Sequence, residues 1–245
     1  MIISAKTDVG TKRTVNQDRA AFKKQNHELL GVLCDGMGGH LAGEVASTLV
    51  SRYIIDHFFD HAPFESDDSI HAWITSLLLH ANDLVNKESD THSEHQGMGT
   101  TVVICYMDGK NTYISHVGDS RAYLCNDHLK QITVDDTFVN ELLKRGLINE
   151  EEAMHHPKRN VLVQAIGIKE ALRISFYKIE EDYSSLLLCS DGLYNSLSSA
   201  QIEEILKMPL SVDEKTEHLI TSANEFGGLD NIGVLLIEKG ESEDE

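Results

Sequence analysis

The chain has 245 residues, 41% hydrophobic and 25% charged, enough to bury roughly 70% of its unfolded surface around one core. Forty acidic against 21 basic residues leave a net charge of −19, which repels phosphate polymers and anionic lipid and argues against nucleic-acid or membrane partners. Cys34, Cys105, Cys125 and Cys189 form no Cys-x-x-Cys pair and sit in or beside apolar runs, so they read as buried thiols of a reducing, cytoplasmic compartment. Neither a signal-peptide run nor roughly 18 consecutive apolar residues occurs. One domain is expected over residues 1–238, followed by an acidic tail at 239–245.

In chain order, a short strand is expected at 20–22 and an apolar one at 29–34. From Ala42 to Phe58, and again from Ile70 to Val85, apolar residues recur at the three-and-four spacing of helices that bury one face. Runs rich in Val, Ile, Leu and Tyr follow at 100–107, 112–117 and 121–125, with others at 186–189 and 232–237. The turn signals Asp108-Gly109 and Asn126-Asp127 imply antiparallel pairing. Phe138, Val139, Leu142 and Leu143 suggest a further helix, as do residues 199–207 and 212–225. Hairpin strands with helices before and after them predict an α+β arrangement in which helices cover antiparallel sheets.

Five aspartates fall where such strands begin or end. Asp35 and Asp191 each follow an apolar run and precede a glycine, Asp119 follows Gly118, Asp230 precedes the last strand, and Asp18 precedes the first short one. Taken singly, an Asp-Gly after a strand is a turn. Gathered at one sheet edge, however, the carboxylates repel one another unless a cation lies between them. Oxygen donors select hard divalent ions such as Mg²⁺ and Mn²⁺, and a neighbouring glycine lets a backbone carbonyl approach.

Other motifs fail on spacing. In Asp35-Gly-Met-Gly-Gly-His40 the third glycine of a dinucleotide fingerprint would fall on Leu41, and Gly38 to Gly43 is followed by Glu44 rather than the Lys-Ser/Thr of a P-loop. His92 and His95 stand in no His-Glu-x-x-His or Cys/His zinc framework, and no Gly-x-Ser-x-Gly elbow occurs.

The motifs Arg13-x-x-Asn16-Gln17-Asp18, Cys34-Asp35-Gly36-Met37-Gly38-Gly39-His40-x-x-Gly43-Glu44, Gly99-Thr100-Thr101, Gly118-Asp119-Ser120-Arg121, Ser190-Asp191-Gly192 and Gly228-x-Asp230-Asn231 span nearly the whole chain. In that order they resemble the metal-dependent type 2C serine/threonine protein phosphatases, most closely the compact bacterial branch. The resemblance implies a four-layer α-β-β-α sandwich, two antiparallel sheets flanked by helices, with an active-site flap. It also implies hydrolysis of phosphoserine and phosphothreonine in proteins by direct attack of a metal-activated water. The expected partners are phosphorylated proteins, substrates of a Ser/Thr kinase in the same cell.

Carried over by position, Asp35 would bridge two Mn²⁺ or Mg²⁺ ions with Gly36 offering its carbonyl, and Asp191 and Asp230 would complete the first ion. Asp18 would orient water or act as an outer ligand, Asp119 would hold a third, weaker ion, and Arg13 would bind phosphate. A planar guanidinium suits phosphate oxygens. Relatives place a histidine directly after the Asp-Gly, where this chain has Met37; His40 is either a substitute general acid or a structural residue opening the next helix. Residues 135–167 resemble the flap. Two departures stand out: Asp136 where relatives carry His, and Gly233 where Thr or Ser follows the Asp-Asn pair. The alternative function is a catalytically inactive pseudophosphatase that binds phosphoproteins as a regulator, and its signature would be the loss of a metal-ligating aspartate.

Overall fold

The structure, a computed structural model, describes residues 1–39, 42–61 and 63–239. Two antiparallel sheets form its centre. One has the order β1 (Ile2–Asp8), β11 (Ile232–Glu238), β10 (Ser185–Cys189), β7 (Arg121–Cys125) and β8 (Leu129–Gln131). The other runs β2 (Asp18–Gln25), β3 (Glu28–Met37), β5 (Val102–Met107), β6 (Thr112–Val117) and β9 (Ser175–Ile179), with the short β4 (Gly99–Thr100) paired to the end of β3. The expected four layers are present.

Strand alternation builds them. Along β3, Leu30, Val32 and Cys34 pack against α1 (Ala42–Asp56) and α2 (Asp67–Thr91), while Leu29 and Leu33 face the opposite way, toward Leu235 and Ile237 of β11. On the far side α6 (Ser199–Leu206) and α7 (Val212–Glu225) cover the first sheet through Ile202, Leu206, Leu219 and Ala223. Ser66, Ser198 and Ser211 close the N-termini of α2, α6 and α7 as capping boxes.

Interior strands match the sequence reading and edge strands do not. The strands β1, β8 and β9 are not foreseen, and β2 is foreseen as three residues rather than eight. All four lie at sheet edges, where half-exposed residues carry no continuous apolar run. The run at 100–107 breaks at Thr101, which falls between β4 and β5. Both turn signals join antiparallel neighbours, β5 to β6 and β7 to β8. Between residues 135 and 167 lie two short helices, α3 (Phe138–Lys144) and α4 (Glu150–Met154). Of the acidic tail only Lys239 is among the described residues.

Candidate metal centre

Residue parity places the carboxylates. Asp35 continues the Leu29, Leu33 side of β3, and Asp18, its register partner on β2, continues the side of Ala20, so both point between the sheets. There the apolar filling ends. Asp119 leaves β6 toward the same end of the sandwich; Asp191 opens α5 (Asp191–Tyr194) just past β10, and Asp230 stands just before β11. Each sheet therefore contributes to one site.

Asp35, Asp119, Asp191 and Asp230 line a cleft of about 460 Å³ together with Arg13 and Gly36. Asp18 lies beneath it, 1% exposed. The structure thus brings together every predicted site residue except His40, which lies outside the described residues.

The backbone of Asp35 is fixed from both sides. Its amide donates to Thr101 Oγ1 at 3.1 Å and its carbonyl accepts from Thr100 Oγ1 at 2.8 Å, which explains the Gly-Thr-Thr motif opposite it. A side chain at Gly36 would meet the Gly43 carbonyl oxygen at 2.1 Å, so only glycine allows this close approach of the α1 start. Asn231 anchors the N-terminal loop: its Nδ2 donates to the carbonyls of Val9 and Val15 at 2.9 Å each, and its Oδ1 accepts the Gln17 amide at 2.8 Å. That loop carries Arg13, whose Nη2 donates to Asp230 Oδ2 at 2.8 Å.

Charge at the site is crowded and negative. Burial pushes the Asp18 carboxyl up to about 7 against the pull of its Ser190 hydrogen bond, with Asp191 and Asp230 adding repulsion. Burial and four neighbouring aspartates, Asp18 foremost, hold Asp35 well above the carboxylate range. Asp119 is raised to about 7 by burial and then by Asp191 and Asp135, and Asp191 to about 6 by burial and Asp230, opposed by Arg13 and Arg121. Arg121 offers little relief: its guanidinium is forked onto Asp135 at 3.0 and 2.7 Å and stacked 3.6 Å over the Tyr194 ring.

The donor set fits hard divalent ions. The site aspartates and the Gly36 carbonyl offer oxygen, and Asp18 Oδ1 is buried with no hydrogen-bond partner. Carboxylates that retain protons for want of a counter-charge are those a dication would deprotonate and bind.

Ser190 and Asn231, to which the sequence reading gives no role, support the site. Ser190 Oγ donates to Asp18 Oδ2 at 2.6 Å and accepts the Gly233 amide at 2.7 Å, and Asn231 forms the loop anchor. A hydroxyl and an amide beside a site aspartate are the signals that mark them. Both departures find a place in the packing. The Asp136 carboxylate accepts the Gly118 amide at 3.1 Å and its own amide donates to the Gly118 carbonyl, fixing the start of the 135–167 segment beside Asp119. At Gly233 a Cβ would stand 3.0 Å from Asp18 Oδ2, ground that Ser190 Oγ approaches from the other strand. Asn160, Leu162 and Gln164 of the 135–167 segment wall the cleft.

The protein phosphatase 2C family profile matches residues 10–223. The serine/threonine phosphatase stp of Listeria monocytogenes serotype 4b is 38% identical over 96% of this chain and 94% of its own length. Protein phosphatase PhpP of Streptococcus pneumoniae serotype 2 is 37% identical over the full length of both. Among solved structures, the S. agalactiae serine/threonine phosphatase superposes with a TM-score of 0.91 at 34% identity, covering 98% of this chain and 99% of that one. The catalytic domain of the serine/threonine protein phosphatase PstP in complex with two manganese ions gives 0.81 at 33% identity, covering 97% of each.

Proposed function

The chain belongs to the protein phosphatase 2C family, and from that premise we propose how its residues hydrolyse phosphoserine and phosphothreonine in proteins. It is a divalent-metal-dependent serine/threonine protein phosphatase. One observation carries the assignment of roles: four aspartates from two sheets meet Arg13 around a single cleft.

Asp35, Asp191 and Asp230, with the Gly36 carbonyl, would hold two ions, and Asp119 would hold a third, weaker one. Manganese is the ion to test first, because the PstP relative binds it, with magnesium the alternative. When bound, such ions acidify water and neutralise charge on the transferring phosphoryl group. Arg13 turns its fork to the phosphate oxygens and sets the phosphorus in line for attack. Asp18, held by Ser190, orients the water from below. No side chain need act as nucleophile. The leaving hydroxyl takes its proton from water or from His40. The reading as an inactive regulator lacks its signature, since each of these aspartates is present.

The partners are phosphoproteins made by a Ser/Thr kinase of the same cell, and the four buried free thiols suit a reducing cytoplasm. Among the described residues no helix is long and apolar enough to cross a membrane. The test is hydrolysis of a phosphothreonine peptide beside a nucleotide and a sugar phosphate, with Mn²⁺ and with chelator. Peptide turnover that requires Mn²⁺ supports the assignment; chelator-insensitive turnover, or preference for the small esters, contradicts it.

A further inference from the structure

The end of α2 carries a cluster that the phosphatase reaction does not use. His92 Nδ1 lies 3.0 Å and His95 Nδ1 2.9 Å from the same oxygen, Glu88 Oε1, and one donor atom from each residue falls within 4.8 Å of the others. None of the three lines the carboxylate cleft.

The geometry points to a second metal site, distinct in chemistry from the first: two imidazoles and one carboxylate that take a borderline divalent transition ion, Zn²⁺ foremost. Two imidazole nitrogens and a carboxylate oxygen form a zinc donor set, whereas the aspartates of the cleft offer oxygen. In a tetrahedral zinc site with bonds of about 2.0–2.2 Å, neighbouring donors stand about 3.3–3.6 Å apart. The two nitrogen–oxygen separations here need open by only a few tenths of an ångström to reach that spacing.

The backbone already holds the ligands in place. The His92 amide donates to the Glu88 carbonyl, the His95 amide to the His92 carbonyl and the Met98 amide to the His95 carbonyl, at 3.0 to 3.1 Å. Gly97 N–H donates to Ser89 Oγ at 3.2 Å, closing the turn onto the helix. The side chains remain open to solvent, His92 at 46% and Glu88 at 28% exposure, so an ion has entry and water can fill the remaining coordination.

Position gives the site a consequence. The turn runs directly into β4, whose Gly99 and Thr100 pair with Met37 and Gly36, while Thr100 exchanges backbone hydrogen bonds with Ile166 at the close of the flap segment. An ion clipping Glu88 to His92 and His95 ties α2 to the strand that braces the cleft.

The test is calorimetric titration of Zn²⁺ into protein kept in excess Mg²⁺, for wild type, His92→Ala, His95→Ala and Asp35→Asn. Wild type and Asp35→Asn should each bind one equivalent. Each histidine variant should bind at least tenfold more weakly, the least that loss of even an outer partner costs a metal site. Co²⁺ in place of Zn²⁺ should give a visible ligand-field band that disappears in the same two variants. Unchanged Mn²⁺-dependent peptide hydrolysis in the histidine variants certifies their folding. Zn²⁺ binding that is equal in wild type and both histidine variants, or that vanishes in Asp35→Asn, overturns the proposal.

Discussion

Ser190 Oγ donates a 2.6 Å hydrogen bond to Asp18 Oδ2 across the gap between the two sheets, joining the end of β10 to the start of β2 beneath the metal cleft. Both residues are almost wholly buried. In Ser190→Ala the Asp18 oxygen and the Gly233 amide lose their partner together, at a cost of about 1–3 kcal/mol. Urea unfolding should show that loss, and a midpoint equal to wild type would contradict the bridge.

The pH dependence follows from the raised carboxyls. Unfolded, these groups titrate near 4; folded, Asp191 holds its proton to about 6 and Asp18 and Asp119 to about 7. Between those values the folded chain binds more protons than the unfolded one, so its stability falls as pH rises. The contribution is complete below about pH 4 and gone above about pH 7. With chelator present, the melting temperature should drop between pH 5 and 8 by at least about 2–4 °C, the equivalent of 1 kcal/mol in a chain of this size. Mn²⁺ should restore it at pH 8 far more than at pH 5. A flat chelated profile would show that the carboxyls are not crowded in solution.

Arg13 is half exposed, and its pair with Asp230 adds little to folding. Arg13→Ala should therefore melt like wild type yet lose about 10- to 100-fold in kcat/KM on a phosphothreonine peptide, equivalent to about 1.4–2.7 kcal/mol of phosphate binding. Retention of full kcat/KM would remove the arginine from the reaction.

Together with Thr11, whose amide donates to the Gly228 carbonyl, Asn231 helps hold the loop that carries Arg13. Its three bonds to the 9–17 loop vanish in Asn231→Ala, which should cost about 2–3 kcal/mol and raise KM on the same peptide. A stable variant with wild-type KM would show that the loop holds itself.

The interior strands, the amphipathic helices and the aspartates at strand ends were legible because continuous apolar runs, three-and-four spacing and the Asp-Gly signal are local. The edge strands β1, β8 and β9 were not, since their pairing partners lie far along the chain and supply the order that their own residues lack. The same holds within the site. Asp35 announces itself beside Gly36, but that Asp18 faces it follows only from β2–β3 register. The role of Ser190 depends on a contact 172 residues away. Gly233 stands out in the sequence as a departure after the Asp-Asn pair; only the fold shows that its missing side chain faces Asp18.

The proposed role of the Asp35 carboxylate is to bring the ions to the reaction, and Asp35→Asn tests it with almost no change of shape. The measurement is the rate of phosphothreonine-peptide hydrolysis against Mn²⁺ concentration in the two proteins. Because burial and like charges oppose the ionised form of Asp35, the neutral amide should fold at least as stably as the carboxyl. Turnover should stay at background at every Mn²⁺ concentration in a folded variant; near-normal Mn²⁺-dependent hydrolysis by Asp35→Asn would remove the carboxylate from that role.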